Sequence, residues 1–218
     1  MTRLHSRSRI IDKKTGTGPV SRRKAMATLG AGTVALASGL PLRAAAQSPD
    51  AAAALVSRAV GDVLGIINSG RSESAMLREF ERIFRDYADV PIIAQSVVGP
   101  QWRSASAADR SAFIAAFQSY MARKYGRRFR EFIGGEITVT GTRQVRNFVE
   151  VISTVRMPGT APFEVRWLVS DGSGQTRFFN MIIEGVNLMI TERSEIGAML
   201  DARGGDLGRL AADLPSMG

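Results

Sequence analysis

The chain has 218 residues, enough for one domain with a substantial core, and its net charge of +9 invites a nucleic-acid reading. The charge is misplaced for that partner: residues 1–46 hold nine Lys and Arg against one acid, and the remainder, with 20 bases and 19 acids, is nearly neutral and offers no footprint for a phosphate backbone. Cysteine is absent and the one histidine is His5, so the chain beyond its first residues excludes disulfides, thiolate nucleophiles, Ser-His-Asp triads and His/Cys zinc sites.

Residues 1–46 read as an export signal. Ser21-Arg22-Arg23-Lys24-Ala25-Met26 carries paired arginines, an uncharged Ala- and Gly-rich stretch follows over 25–42, and Arg43-Ala44-Ala45-Ala46-Gln47 offers cleavage after Ala46. The arginine pair points to the twin-arginine route, and Ala25, where a Phe is common, leaves Sec export open. Gly30, Gly32 and Gly39 make the stretch a poor permanent span. The expected mature chain is one domain over 47–218, released into the periplasm, with Lys124 as its one lysine.

In the mature chain, 47–54 reads as a loose leader. Leu55, Val56, Ala59, Val60, Val63, Leu64 and Ile67 then recur at helical spacing until Gly70 ends the run. A second helix is predicted over 73–87, with Met76, Leu77, Phe80, Ile83, Phe84 and Tyr87 on one side and charges on the other. Asp89-Val90-Pro91 opens a short third helix that closes at Gly99. Ser106 with Asp109 resembles a capping box for a long helix reaching about Ile133. Its buried stripe is Phe113, Phe117, Tyr120, Met121, Tyr125, Phe129 and Phe132. Arg123, Lys124, Arg127, Arg128 and Arg130 cluster near its end, where they complement the helix dipole or meet an acidic partner or lipid headgroups.

After Gly135 the apolar period changes to two. A short strand over 136–140 is followed by one over 147–157 with Val149, Val151, Val155 and Met157 on one face. The next, over 163–169, turns Phe163, Val165, Trp167 and Val169 inward. Asp171-Gly172-Ser173-Gly174 joins it to a strand over 176–183 with Phe179, Met181 and Ile183 on one face. Glu184-Gly185 marks a bulge or tight bend, and residues 186–190 lead into a helical region over 192–214, broken at Gly204-Gly205. Helices, then antiparallel strands, then helices describe an α+β fold: a sheet of about four strands, cone-like, under several helices.

Residues 97–126, VVGPQWRSASAADRSAFIAAFQSYMARKYG, carry Val98, Gly99, Trp102, Ser104, Ala105, Arg110, Phe113, Phe117 and Tyr125 at the spacing of a known signature. FFNMIIEGVNLMI supplies Asn180, Glu184, Gly185, Val186 and Asn187, and Arg193, Ser194, Leu200 and Gly204 follow in order. Together they resemble the MlaC/toluene-tolerance auxiliary family over roughly 80–214. Asn180 and Asn187 stand where that pattern has Asp and Ser, and Ile196 where an aromatic is common. The resemblance implies a soluble periplasmic monomer that shuttles phospholipid, maintaining outer-membrane lipid asymmetry. It docks transiently on an outer-membrane lipoprotein complex and on an inner-membrane ABC transporter with an MCE subunit. It also implies no catalytic group, metal or cofactor beyond the lipid cargo. Acyl chains are then expected in a hollow between sheet and helices, lined by Val98, Trp102, Phe113, Phe117, Tyr120 and Met121 from the helical side. The strand side contributes Val149, Val151, Val155, Phe163, Val165, Trp167, Phe179, Met181 and Ile183.

Each buried methylene gains about 0.8 kcal/mol over water, but a lipid leaves a bilayer in which its chains are already dry. Exchange with a dry pocket is therefore near balance, and Met121, Met157, Met181, Met189 and Met199 supply adaptable lining. Periodicity alone also fits a filled core. Three alternatives stand beside the phospholipid carrier: a carrier of another lipid such as a hopanoid, a carboxylate enzyme using Glu150 or Glu184, and an interaction module without cargo.

Overall fold

The computed structural model describes residues 48–217, apart from the side chains of Phe129 and Arg130. The expected export signal, His5 and those two side chains lie outside the described residues.

Residues 49–54, expected as part of a loose leader, are helical. Helix α1 (Pro49–Ile67) starts at Ser48, whose Oγ accepts from the Ala51 amide, with Pro49 in the first turn and Asp50 at the positive end of the dipole. The alanines of 51–54 are the best helix formers and extend the apolar periodicity backwards. Helix α2 (Glu73–Tyr87) has the expected span, and its charges form a solvated face on which Arg82 pairs with Glu79 and Asp86. Helix α3 (Val90–Val98) is capped by Asp89 and closed by Gly99 at φ 71°. A single turn, α4 (Gln101–Ser104), precedes α5 (Ala107–Gly126). Ser106 caps α5 by accepting from the Asp109 amide at 3.1 Å and donating to Asp109 Oδ2 at 2.6 Å.

Helix α5 ends at Gly126 rather than near Ile133, and residues Arg127–Phe132 tighten into a 3₁₀ segment. Gly126 lies where α5 crosses α2: a Cβ there would stand 2.6 Å from Leu77 Cδ2. A residue that permits this approach is also a weak helix former, and the chain leaves the α geometry there.

Four long strands and a two-residue fifth form an antiparallel meander in sequence order: β1 (Glu136–Val145), β2 (Phe148–Met157), β3 (Thr160–Ser170), β4 (Arg177–Ile183) and β5 (Val186–Asn187). Pro158-Gly159, with Gly159 at φ 75°, turns β2 into β3. Glu184 at φ 50° and Gly185 at φ 83° form the two-residue turn between Ile183 and Val186, the left-handed pair that a tight hairpin requires. Helix α6 (Leu188–Asp201) begins straight after β5, four residues ahead of the sequence expectation, because the Asn187 side chain accepts from the Ile190 amide. After Gly204 and Gly205, both at positive φ, α7 (Leu207–Asp213) and a 3₁₀ turn (Leu214–Ser216) close the domain.

The mixed architecture is the expected α+β. Val149, Val151 and Val155 of β2, Val165, Trp167 and Val169 of β3, and Phe178 of β4 form the buried sheet face. Against it pack Val56 of α1, Val97 of α3, Phe113 and Phe117 of α5, Ile196 and Leu200 of α6, and Leu210 of α7. Trp167 Nε1 donates to Ser153 Oγ at 3.0 Å, and that hydroxyl donates to the Val165 carbonyl, so both of these buried polar side chains are paired. Strict alternation would place Phe179 inward with Met181 and Ile183. The register instead shifts between Leu168 and Val169, which pair with Asn180 and Phe178. Phe179 is the extra residue of a bulge, Phe178 takes the core position, and Phe179 meets Phe148 edge to face at 5.6 Å. No helix among the described residues is long and apolar enough to cross a membrane.

Candidate functional site

The stretch 178–190 crosses β4, the hairpin, β5 and the first turn of α6, and five of its apolar side chains line one pocket. Phe178, Phe179, Asn180 and Met181 of β4 face Leu188, Met189 and Glu192 of α6 across it, and Phe84, Ile93 and Met121 of α2, α3 and α5 close the other sides. Nine of the ten lining residues are uncharged, and the tenth is an acid. The pocket volume is about 50 Å³.

Asparagines frame its sheet side. Asn180 Oδ1 accepts from the Met181 and Met189 amides at 2.8 and 3.0 Å, and Asn180 Nδ2 donates to Asn187 Oδ1 at 3.0 Å. Asn187 Oδ1 also caps α6. The Asp and Ser of the family pattern are thus replaced by a pair that clamps β4 to the start of α6 with amide chemistry alone.

The acid is Glu192, 1 % exposed. Its Oε1 accepts from Lys124 Nζ at 2.7 Å and from the Tyr125 hydroxyl, and Lys124 also reaches Glu195 at 2.5 Å. The network joins α5 to α6 beside the pocket. Burial pulls the Lys124 ammonium toward neutrality, yet its hydrogen bonds to Glu192 and Glu195 outweigh that, and its pKa lies above the ordinary lysine value. Burial, reinforced by the bond to Glu192, pushes the Tyr125 phenol far above the usual tyrosine range. Glu192 Oε2 is buried and has no hydrogen-bond partner.

Of the side chains read from the sequence as pocket lining, the fold brings Met121, Phe179 and Met181 to this pocket. Val98, Phe113, Phe117, Tyr120, Val149, Val151, Val155, Val165 and Trp167 lie buried in the main core, and Trp102, Phe163 and Ile183 pack half-buried against it. Phe113, Phe117, Val149 and Val151 are fully covered by their neighbours, and the pocket opens away from them, between β4 and the helices. Phe84, Ile93, Phe178, Leu188 and Glu192 line the pocket without an assignment from the sequence, whereas Met189 is one of the methionines expected there as adaptable lining. Of those five, Phe84 carried a signal through the apolar stripe of α2.

Other sequence candidates have structural roles. Arg110 donates to the Trp102 and Arg103 carbonyls at 2.8 and 3.0 Å and lies over the Trp102 ring, tying α4 to α5. The Arg193 guanidinium packs 3.1 Å from where a Cβ would sit on Gly99, so the two halves of the signature meet. The basic cluster divides. Arg123 donates to the Leu214 and Met217 carbonyls, Lys124 turns to Glu192, and Arg127 and Arg128 are exposed. Glu150 is buried on the opposite sheet face with Arg143 and Arg166, and Glu184 is exposed in its turn. Neither carboxylate reaches the pocket. No group of three or more His, Cys, Asp or Glu among the described residues is arranged to hold a metal ion.

A meander sheet under helices, with a small apolar pocket where the last strands meet α6, defines an α+β protein. The sequence profile of the MlaC protein family matches residues 57–215, and the chain belongs to that family. The fold is similar to that of a phospholipid-binding protein from Ralstonia solanacearum, solved in complex with a phospholipid. The two share 23 % identity over 76 % of this chain and 95 % of that one, with a TM-score of 0.64. At that identity the likeness speaks to the fold.

Proposed function

We propose that this chain is a periplasmic phospholipid carrier, exported through its arginine-paired signal, that holds acyl chains between the sheet and the helices as a monomer. It exchanges them with an inner-membrane ABC transporter bearing an MCE subunit and with an outer-membrane lipoprotein complex. Membership of the MlaC family over 57–215 carries the reading. The wholly apolar strand-side wall of the pocket, apart from Asn180, and the phospholipid held by the Ralstonia protein support it.

The pocket of about 50 Å³ is far below the roughly 300–1,000 Å³ of a site that encloses a drug-sized ligand. Loading therefore requires the helices to part from β4. The pocket is where that separation begins, because its walls are already apart and its lining includes three flexible methionines, Met121, Met181 and Met189. Parting costs little there. Side chains that leave one another meet acyl carbons instead of water, so apolar area stays buried throughout. Met121, Phe179 and Met181 touch the chains first. Val165, Trp167, Phe117 and the other core residues of the sequence expectation are reached as the gap deepens.

Protein purified from its own periplasm and extracted into organic solvent tests the reading. The expected result is about one diacyl lipid per chain. A folded sample that yields no fatty material overturns it.

A further inference from the structure

The walls of the pocket are not held equally. Glu81 of α2 accepts from the Ser119 hydroxyl of α5 at 2.6 Å, and Arg177 of β4 donates to the Ala88 carbonyl, just past α2, at 3.2 Å. Lys124 and Tyr125 bind α5 to Glu192 of α6, and Asn180 of β4 accepts from the Met189 amide in α6. Helix α3 is the exception. It lines the pocket through Ile93, yet among the described residues none of its side chains makes a hydrogen bond or ion pair with another element. Its sequence, VPIIAQSVV, holds no charge, and Ser96 donates only to the Ile92 carbonyl of α3 itself. Ile93, Ala94, Val97 and Val98 are buried, while Pro91, Ile92 and Gln95 are exposed. Both ends of α3 suit a pivot. At its start the Asp89 amide donates to the Phe178 carbonyl at 2.8 Å, a single backbone bond about which the helix can turn. At its end stands Gly99, at φ 71° and ψ −135°, with the backbone freedom of a residue that lacks a Cβ. Walls joined by polar groups lose those bonds when they separate, whereas an apolar contact is replaced by another if hydrocarbon follows. Helix α3 is therefore the wall that yields at least cost.

We propose that α3 is the lid of the pocket: it rolls outward about Asp89 and Gly99, admits an acyl chain between Ile93 and β4, and closes again on hydrocarbon. The inference rests on the carrier reading and deepens it by naming the element that moves, while α2, α5, α6 and β4 stay together as a frame. Opening toward water exposes the inner face of α3 and is rare. Opening against an acyl chain keeps that face covered, so the lid responds to lipid and stays shut to polar solutes.

The test separates the rate of lipid entry from the extent of binding. Protein purified from its own periplasm is stripped of lipid with a detergent that is then dialysed away. It is mixed with a lysophospholipid whose acyl chain carries a pyrene, kept below its micellar concentration, and the fluorescence reports both the rate and the final extent of uptake. Val97 is buried in α3 but does not line the pocket, and Val56 is its buried counterpart in α1. Val97→Ala removes two buried carbons that hold the lid down and is expected to speed uptake about fivefold or more, with the final extent unchanged. Val56→Ala makes the same change in the frame and should leave the rate as it was. Equal acceleration by the two variants, or none by Val97→Ala, would overturn the lid. Hydrogen exchange of the unsubstituted protein reads the same motion without a substitution: the amides of α3 should exchange about tenfold or more faster than those of α5, and equal protection of the two helices would also overturn it. A folded, unsubstituted protein that takes up no probe would contradict the carrier reading itself.

Discussion

Replacing Lys124 with Met removes the one cation bonded to a carboxylate that is 1 % exposed. Truncating one member of a buried ion pair typically costs about 3–5 kcal/mol, because the remaining charge stays buried without its partner. Lys124 keeps 23 % of its side-chain surface exposed and Glu195 keeps 42 %, so water reaches one end of the cluster and the expected loss falls to about 2–4 kcal/mol. For the 170 residues from 48 to 217, that loss lowers Tm by roughly 5–12 °C. Urea unfolding followed by tryptophan fluorescence reads it, since Trp167 lies in the main core and Trp102 packs against it. A double-mutant cycle adds the mechanism. Glu192→Met in the Lys124→Met background removes the orphaned charge and should restore stability, leaving a coupling of about 2 kcal/mol between the sites. A loss below about 0.5 kcal/mol for Lys124→Met, or strict additivity of the two changes, would refute the claim that this pair ties α5 to α6.

All three tyrosines, Tyr87, Tyr120 and Tyr125, have phenol pKa values above the ordinary value, each with burial as the leading cause. The Lys124 ammonium is raised as well. Each group holds its proton more tightly when folded, so its contribution is complete below the unfolded pKa near 10 and declines as the pH rises past it. Native protein is therefore expected to show less tyrosinate absorbance at pH 10.5 than the urea-unfolded chain, and its stability to fall above about pH 10; equal absorbance in the two states contradicts the burial argument. Gly99→Ala should cost about 1–3 kcal/mol, because φ 71° with ψ −135° strains any L side chain and Arg193 crowds the Cβ. In contrast, Gly65→Ala at an exposed position of α1, with nothing within 4 Å of its Cβ, should gain about 0.5–1 kcal/mol by urea unfolding. Leu188→Trp fills the pocket from the first turn of α6 and should reduce extractable lipid several-fold with the circular dichroism spectrum unchanged; undiminished lipid in that variant would move the binding site elsewhere.

Helices were legible wherever a cap coincided with the start of an apolar stripe. Ser72, Asp89 and Ser106 begin α2, α3 and α5 as their sequence contexts imply. The error at α1 was to read 47–54 as composition, when Ser48-Pro49-Asp50 is itself a helix start. The end of α5 was missed because its signal is tertiary: Gly126 is fixed by the crossing with Leu77, a neighbour 49 positions earlier in the chain. Phe179 and Phe178 exchanged places for a similar reason. A bulge is a property of two paired strands, and the period-two pattern of β4 alone gives no sign of it. The interior illustrates a deeper limit. Alternating apolar faces opposite an aromatic stripe describe a filled core and a fillable one equally well, and side-chain packing decides between them. Glu192 carried no sequence signal at all, since an acid in a helix is ordinarily a solvated one. Only its place beneath Lys124 and Tyr125 distinguishes it.

Acyl chains that occupy the gap between β4 and the helices must lie against the side chains that now close it. Isotope-filtered nuclear Overhauser spectra of the protein loaded with dioleoyl phosphatidylethanolamine read that contact directly. Cross-peaks are expected from acyl protons to the methyl groups of Ile93, Met121, Met181 and Met189. Cross-peaks confined to outward-facing methyls such as those of Val186 and Ile190, with the four interior residues silent, would contradict the account.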